Sequence, residues 1–170
     1  MKYKKLRRWL KEIGLFVFIA VIFSTGLDLW RQQSIPVANA PNIVGQSIDG
    51  KSVDIFEMSK EKPVIVYFWA TWCPVCKFVS PTINLIDKID SYEVIGVSIS
   101  SGPDDRIAKF LEAHHYDFSN LNDSRGLNAR AWGILVTPTI AVVKGGQIQF
   151  VTTGFTTPIG LWLGFGLYNN

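Results

Sequence analysis

The chain has 170 residues, 48% hydrophobic and 18% charged, with 14 Gly, 8 Pro and two Cys. That is enough for one medium domain and a short appendage, and it excludes a disordered chain, a collagen-like chain and a cysteine-rich miniprotein. The net charge of +3 does not signal nucleic-acid binding: six of the 17 basic residues (Lys2, Lys4, Lys5, Arg7, Arg8, Lys11) precede Ile13, and beyond it 11 basic residues face 13 acidic ones, a balance of −2.

Residues 1–12 form the basic segment. Residues 13–30 are almost wholly apolar, Asp28 being the single charge. At 1.5 Å per residue such a helix reaches roughly 27 Å, close to the ~30 Å hydrocarbon core. The basic cluster in front of it predicts a single transmembrane helix with a cytoplasmic N-terminus, and Trp30 suits the far interface. Residues 31–41, with two prolines, read as an extended linker. The competing reading is a signal peptide cleaved after Ala38-Asn39-Ala40. The length of the apolar run and Pro41 at the first mature position favour a retained anchor. Either reading puts residues 42–170 outside the cytoplasm.

Within that domain, Ile43 to Asp54 predicts a small hairpin or irregular lead-in. Val64 to Trp69 is a continuous β-branched and aromatic run, as expected of a strand buried on both faces. Pro74 to about Ile89 has apolar residues at helical intervals, with Pro81 expected to kink the helix. Val94 to Ser100 predicts a strand, and Gly102-Pro103-Asp104-Asp105 opens a helix carrying Ile107, Phe110 and Leu111. A short helix over Leu127–Trp132, a strand over Thr139–Val143, a Gly145-Gly146 turn and a returning strand over Ile148–Thr152 complete the series. Alternating strands and helices followed by a hairpin predict an α/β fold on a mixed central sheet flanked by helices.

The two cysteines, Cys73 and Cys76, lie at the junction of the buried strand and the first long helix. A disulfide across so short a loop removes little unfolded-state entropy, so stapling is a poor reason for the spacing. With Cys73 at the N-cap and Pro74 at the first helical position, the Val75 and Cys76 amides and the helix dipole stabilise a Cys73 thiolate. Cys76, one turn deeper, comes within disulfide distance. Cys73 is thus the candidate nucleophile at an exposed mouth and Cys76 the resolving thiol. A zinc site would need two further ligands, and only His114-His115 is on offer; no metal or cofactor is expected. Those histidines read as a solvated helix end. Trp69 and Trp132 read as core, while Trp72, beside Cys73, serves equally well as core or as part of a substrate rim.

The stretch from Val66 to Pro81, with Trp72 before the first cysteine and Pro81 five residues after the second, resembles the active-site block of thioredoxin-fold proteins. Val136-Thr137-Pro138-Thr139 resembles that family's cis-proline loop. The N-terminal anchor and the inserted region from Glu93 to Trp132 are similar to the TlpA/DsbE branch of exported thioredoxins. Ser100 to Asp105 and Val151 to Pro158 are most like the copper-sensitivity-suppressor D-type proteins. The resemblance implies a thioredoxin-like fold and a protein disulfide oxidoreductase. It implies that Thr137, held by Pro138, pairs with an extended substrate, and that Trp72 joins it in substrate binding. Exported cysteine-containing proteins and a membrane thiol–disulfide electron-transfer partner are the implied partners, at the outer face of a bacterial inner membrane. Two departures stand out: Tyr67 occupies the position of a buried Asp, and Ser100-Ser101 lie near where cytochrome-maturation members carry a Glu. Pro74-Val75 carries no charge and leaves the direction of electron flow open. The rival readings are a Cu(I)-binding, copper-resistance module and a thiol peroxidase on the same fold. The apolar tail from Gly160 to Tyr168 fits either a short packing helix or a segment leaning on the membrane.

Overall fold

The computed structural model describes residues 41–154, together with Trp9, Glu12 and Leu15. The chain divides into two compact units, Met1–Ile35 and Pro36–Asn170. The expected basic segment, anchor, linker and apolar tail lie, but for those three positions and Pro41, outside the described residues. Among the described residues no helix is long and apolar enough to cross a membrane.

The centre of the second unit is β3 (Val64–Trp69), whose six residues are all buried. Its side chains alternate between two covered faces, and so it carries no polar stripe. It pairs in parallel with β4 (Glu93–Ile99) and antiparallel with β6 (Thr139–Lys144). β5 (Ser119–Asp123) extends the sheet in parallel beyond β4, and β7 (Gln147–Thr153) closes the other edge antiparallel to β6. The order is β5-β4-β3-β6-β7, the mixed sheet expected from the sequence. The turn between β6 and β7 is two residues long, Gly145 and Gly146, both at positive φ (61° and 77°). A turn that matches the twist of its strands requires that geometry, which glycine adopts without steric cost. Before the sheet, β1 (Val44–Gln46) and β2 (Ser52–Asp54) form the small antiparallel hairpin.

Two elements were not anticipated. Helix α1 (Ile55–Glu61) begins at Asp54, whose carboxylate accepts the Glu57 amide at 3.0 Å. Asp54 and Glu57 have the spacing of a capping box, a signal that lay open in the sequence. Strand β5 reads Ser-Asn-Leu-Asn-Asp, a composition depleted in strand formers. It forms because Asn120 is satisfied in the interior: its Oδ1 accepts the Trp69 indole N–H at 2.8 Å and its Nδ2 donates to Ser98 Oγ at 2.8 Å. Tertiary partners outweigh local propensity there.

Helix α2 (Pro74–Asp87) follows β3 directly and runs unbroken through Pro81, ending two residues before Ile89. Its inner face (Cys76, Val79, Ile83, Ile86) packs into a core with Ile65, Tyr67, Trp69, Ile107, Phe118 and Ile140. Helix α3 (Asp104–Ala113) has Asp104 and Asp105 in its first turn, as expected, with Pro103 at the N-cap. The short α4 (Leu127–Ala131) is held by the buried carboxylate of Asp123, which accepts the amides of Leu127 (2.7 Å) and Ala129 (2.9 Å). Trp69 and Trp132 are core residues, as read; the Trp132 indole donates to Pro41 O at 2.8 Å.

Candidate active site

Cys73 takes the N-cap of α2, with Pro74 in the first turn, and its sulfur accepts the Cys76 amide at 3.1 Å. One helical turn brings the two Cα atoms to 5.3 Å, and Cys73 and Cys76 are joined as a disulfide. The backbone places the pair firmly: the Cys73 amide donates to Ala70 O at 3.2 Å, and the Thr71 amide to Ser101 Oγ at 3.0 Å. Cys73 was expected at an exposed mouth. In the disulfide state it is 3% exposed, barely more than Cys76 at 1%. The cause is the loop facing it, since Thr137 O lies 3.6 Å from the Cys73 sulfur.

That loop carries a cis Thr137–Pro138 peptide bond, as the resemblance implied. It is tied at both ends: Thr139 Oγ1 donates to Val136 O at 2.8 Å, and Gly154 N to Pro138 O at 2.8 Å. Trp72, left undecided between core and rim, is 60% exposed. Its indole N–H donates to Ser100 O at 3.2 Å, and Ser100 sits at a φ of 45°. A non-glycine residue in the left-handed region is uncommon and costs of order 1–3 kcal/mol. Ser100 and Ser101 together brace the turn that carries Trp72 and Cys73, a role that sequence reading missed. Val75, Phe78, Leu135 and Val136 are also exposed, so the disulfide is bordered by apolar side chains from both α2 and the loop.

Beneath the disulfide lies Tyr67. Its hydroxyl is 2.9 Å from Ser80 Oγ and 3.4 Å from Cys76 O. Burial drives the Tyr67 pKa well above the ordinary value of 10.0, and the bond to Ser80 offsets only part of that rise. A neutral hydroxyl pair therefore stands on the buried side of Cys76. The histidines are elsewhere. His114 caps the far end of α3, stacked on Phe110, with Nδ1 2.8 Å from Phe110 O.

Residues 36–151 match the family model described as the AhpC/TSA family. The chain belongs to the AhpC/TSA family. It is 37% identical to a "Thioredoxin-like protein" of Haemophilus influenzae, over 95% of this chain and 93% of that one. It is 28% identical to "Thiol-disulfide oxidoreductase ResA" of Halalkalibacterium halodurans, over 91% of this chain and 90% of the relative. Among solved structures, StoA from Bacillus subtilis superposes with a TM-score of 0.64 at 24% identity, covering 75% of this chain and 98% of that one. The fold is thioredoxin-like. With the Cys73–Cys76 disulfide at the head of α2, this member of the family is a thiol:disulfide oxidoreductase.

Proposed function

We propose that the chain exchanges its Cys73–Cys76 pair with cysteines of exported proteins, Cys73 acting as nucleophile and Cys76 as resolving thiol. The observation that carries the assignment of roles is the Cys76 amide directed at the Cys73 sulfur at the opening of α2. A hydrogen bond from that amide and the N-terminal end of the helix dipole favour the thiolate at Cys73 over the thiol. In the reducing direction, the Cys73 thiolate attacks a substrate disulfide, forms a mixed disulfide and expels one substrate thiolate, which takes up a proton. The Cys76 thiol then loses its proton and attacks the Cys73 sulfur. The enzyme disulfide closes, and the second substrate thiol leaves. Two electrons have passed from enzyme to substrate, and the oxidising direction is the same path reversed.

Trp72, Thr137 and Pro138 form the substrate-binding surface in this reading. What supports it is the exposed Trp72 ring on one side of the disulfide and the Thr137 carbonyl 3.6 Å from the Cys73 sulfur on the other. Residues 13–30 anchor the domain and residues 31–41 tether it, holding residues 42–170 at the outer face of the bacterial inner membrane, where a membrane thiol–disulfide partner recycles the pair.

The roles are tested by single substitutions and a model peptide disulfide. Cys73→Ser abolishes exchange. Cys76→Ser accumulates a mixed disulfide with the peptide on Cys73, seen as the added peptide mass on that residue. Turnover that survives in Cys73→Ser contradicts the assignment.

A further inference from the structure

Beside the disulfide, between Trp72 and the Thr137 loop, runs a groove of about 200 Å³ whose lining includes Trp72, Ile99, Ile134, Val136, Thr137 and Arg130. Its walls are mostly apolar, and among the described residues Arg130 is the one charged residue lining it. The guanidinium lies over Gly126, where an added Cβ would meet its Nη1 at 3.3 Å. The absence of a side chain at Gly126 leaves that space to the guanidinium. No carboxylate neutralises it: Arg130 forms no ion pair with the described residues. Asp123, the nearest acid along the chain, is engaged by the amides at the head of α4. A cation with no ion pair among the described residues, lining the same groove as Trp72 and Thr137, matches a side chain with an apolar stem and an anionic end.

Resting on the exchange reading above, we infer that Arg130 is a specificity-determining residue, and that the groove takes a glutamate flanking the substrate cysteine. The Glu methylenes lie against Ile134, Val136 and the Trp72 ring, and the carboxylate pairs with the guanidinium. Arginine's planar fork suits a carboxylate in two-point contact. A lysine in the same place meets a like charge, so the site selects by repulsion as well as by attraction.

The test uses the full chain in detergent, reduced, with three short peptides that share one internal disulfide and differ only in having Glu, Gln or Lys beside the reacting cysteine. In a single turnover, pre-reduced wild type reduces the Glu peptide with a second-order rate constant roughly fivefold above that for the Lys peptide, the size of effect an exposed ion pair supports. The preference shrinks as salt is raised. Arg130→Gln brings the Glu-to-Lys ratio to about one and Arg130→Glu inverts it, each ratio being read within one protein, with the Gln peptide lying between the two in wild type. An unchanged Glu-to-Lys ratio in both variants, with normal turnover of the Gln peptide, overturns the role of Arg130 alone. Failure of wild type on all three peptides overturns the exchange reading together with it.

Discussion

Tyr67 shows what one buried side chain does to the balance of the molecule. Burial holds its phenol neutral far above the ordinary value of 10.0, so above that pH the unfolded chain releases a proton that the native chain keeps. The unfolded state then binds fewer protons, and stability falls as pH rises beyond about 10. Tyr67→Phe removes this dependence at one position. It also deletes the hydrogen bond to Ser80 Oγ and leaves that hydroxyl without its 2.9 Å partner. Urea unfolding is expected to show Tyr67→Phe about 1 kcal/mol less stable at pH 7, with the deficit narrowing above pH 10. The slope does not vanish, because burial also raises Tyr116. The sequence shows that Tyr67 is no carboxylate. It does not show Ser80 as its partner, since that contact depends on the turn of α2 over β3. The Cys73–Cys76 pairing was legible in residue type and spacing, and the cis Thr137–Pro138 bond in the resemblance alone. Arg130 was not, because nothing in its local sequence says which side chains line the space around it.

At the scale of elements, β3, α2 and the β6–β7 hairpin were readable from hydrophobic pattern and turn glycines. β5 was not, because its stability lies in partners on other strands, above all the Asn120–Trp69 bond. Gly96, in the middle of β4, is part of the same arrangement. A Cβ there would stand 2.6 Å from Asn120 Oδ1 and 2.8 Å from Phe118 Cε2, closer than any real contact. Asn120 cannot retreat without breaking its bonds to Trp69 and Ser98. Gly96→Ala is therefore expected to cost about 1–3 kcal/mol, the usual range for overpacking a filled interior. Denaturant unfolding measures this, and near-UV circular dichroism registers displacement of the Trp69 ring. A variant as stable as wild type would mean that β5 does not hold Asn120 as described.

For the whole molecule, the sheet order places the disulfide, the Thr137 loop and the Trp72 turn at one end of β3 and β6, on segments braced by Ser100, Ser101 and Gly154. The alternation of strands and helices was enough to infer this architecture, because parallel strands such as β3 and β4 need a crossover helix between them. In the proposed reading, delivery of the site to the outer face of the membrane rests on residues 1–41. If residues 13–30 remain as an anchor, the chain stays in the membrane pellet through alkaline carbonate extraction, at full-length mass. A soluble chain beginning at Pro41 would show cleavage after Ala40 instead.

In the proposed exchange the Cys73 sulfur, at the N-cap of α2, is held partly ionised near neutral pH, and alkylation kinetics test this most directly. With the pair reduced, the rate of iodoacetamide labelling at each cysteine is followed by mass spectrometry from pH 4 to pH 10. Cys73 is expected to label first, with a midpoint well below the ~8.5 of an ordinary cysteine, while Cys76 lags. Equal labelling of both thiols, with midpoints at or above that value, contradicts the account.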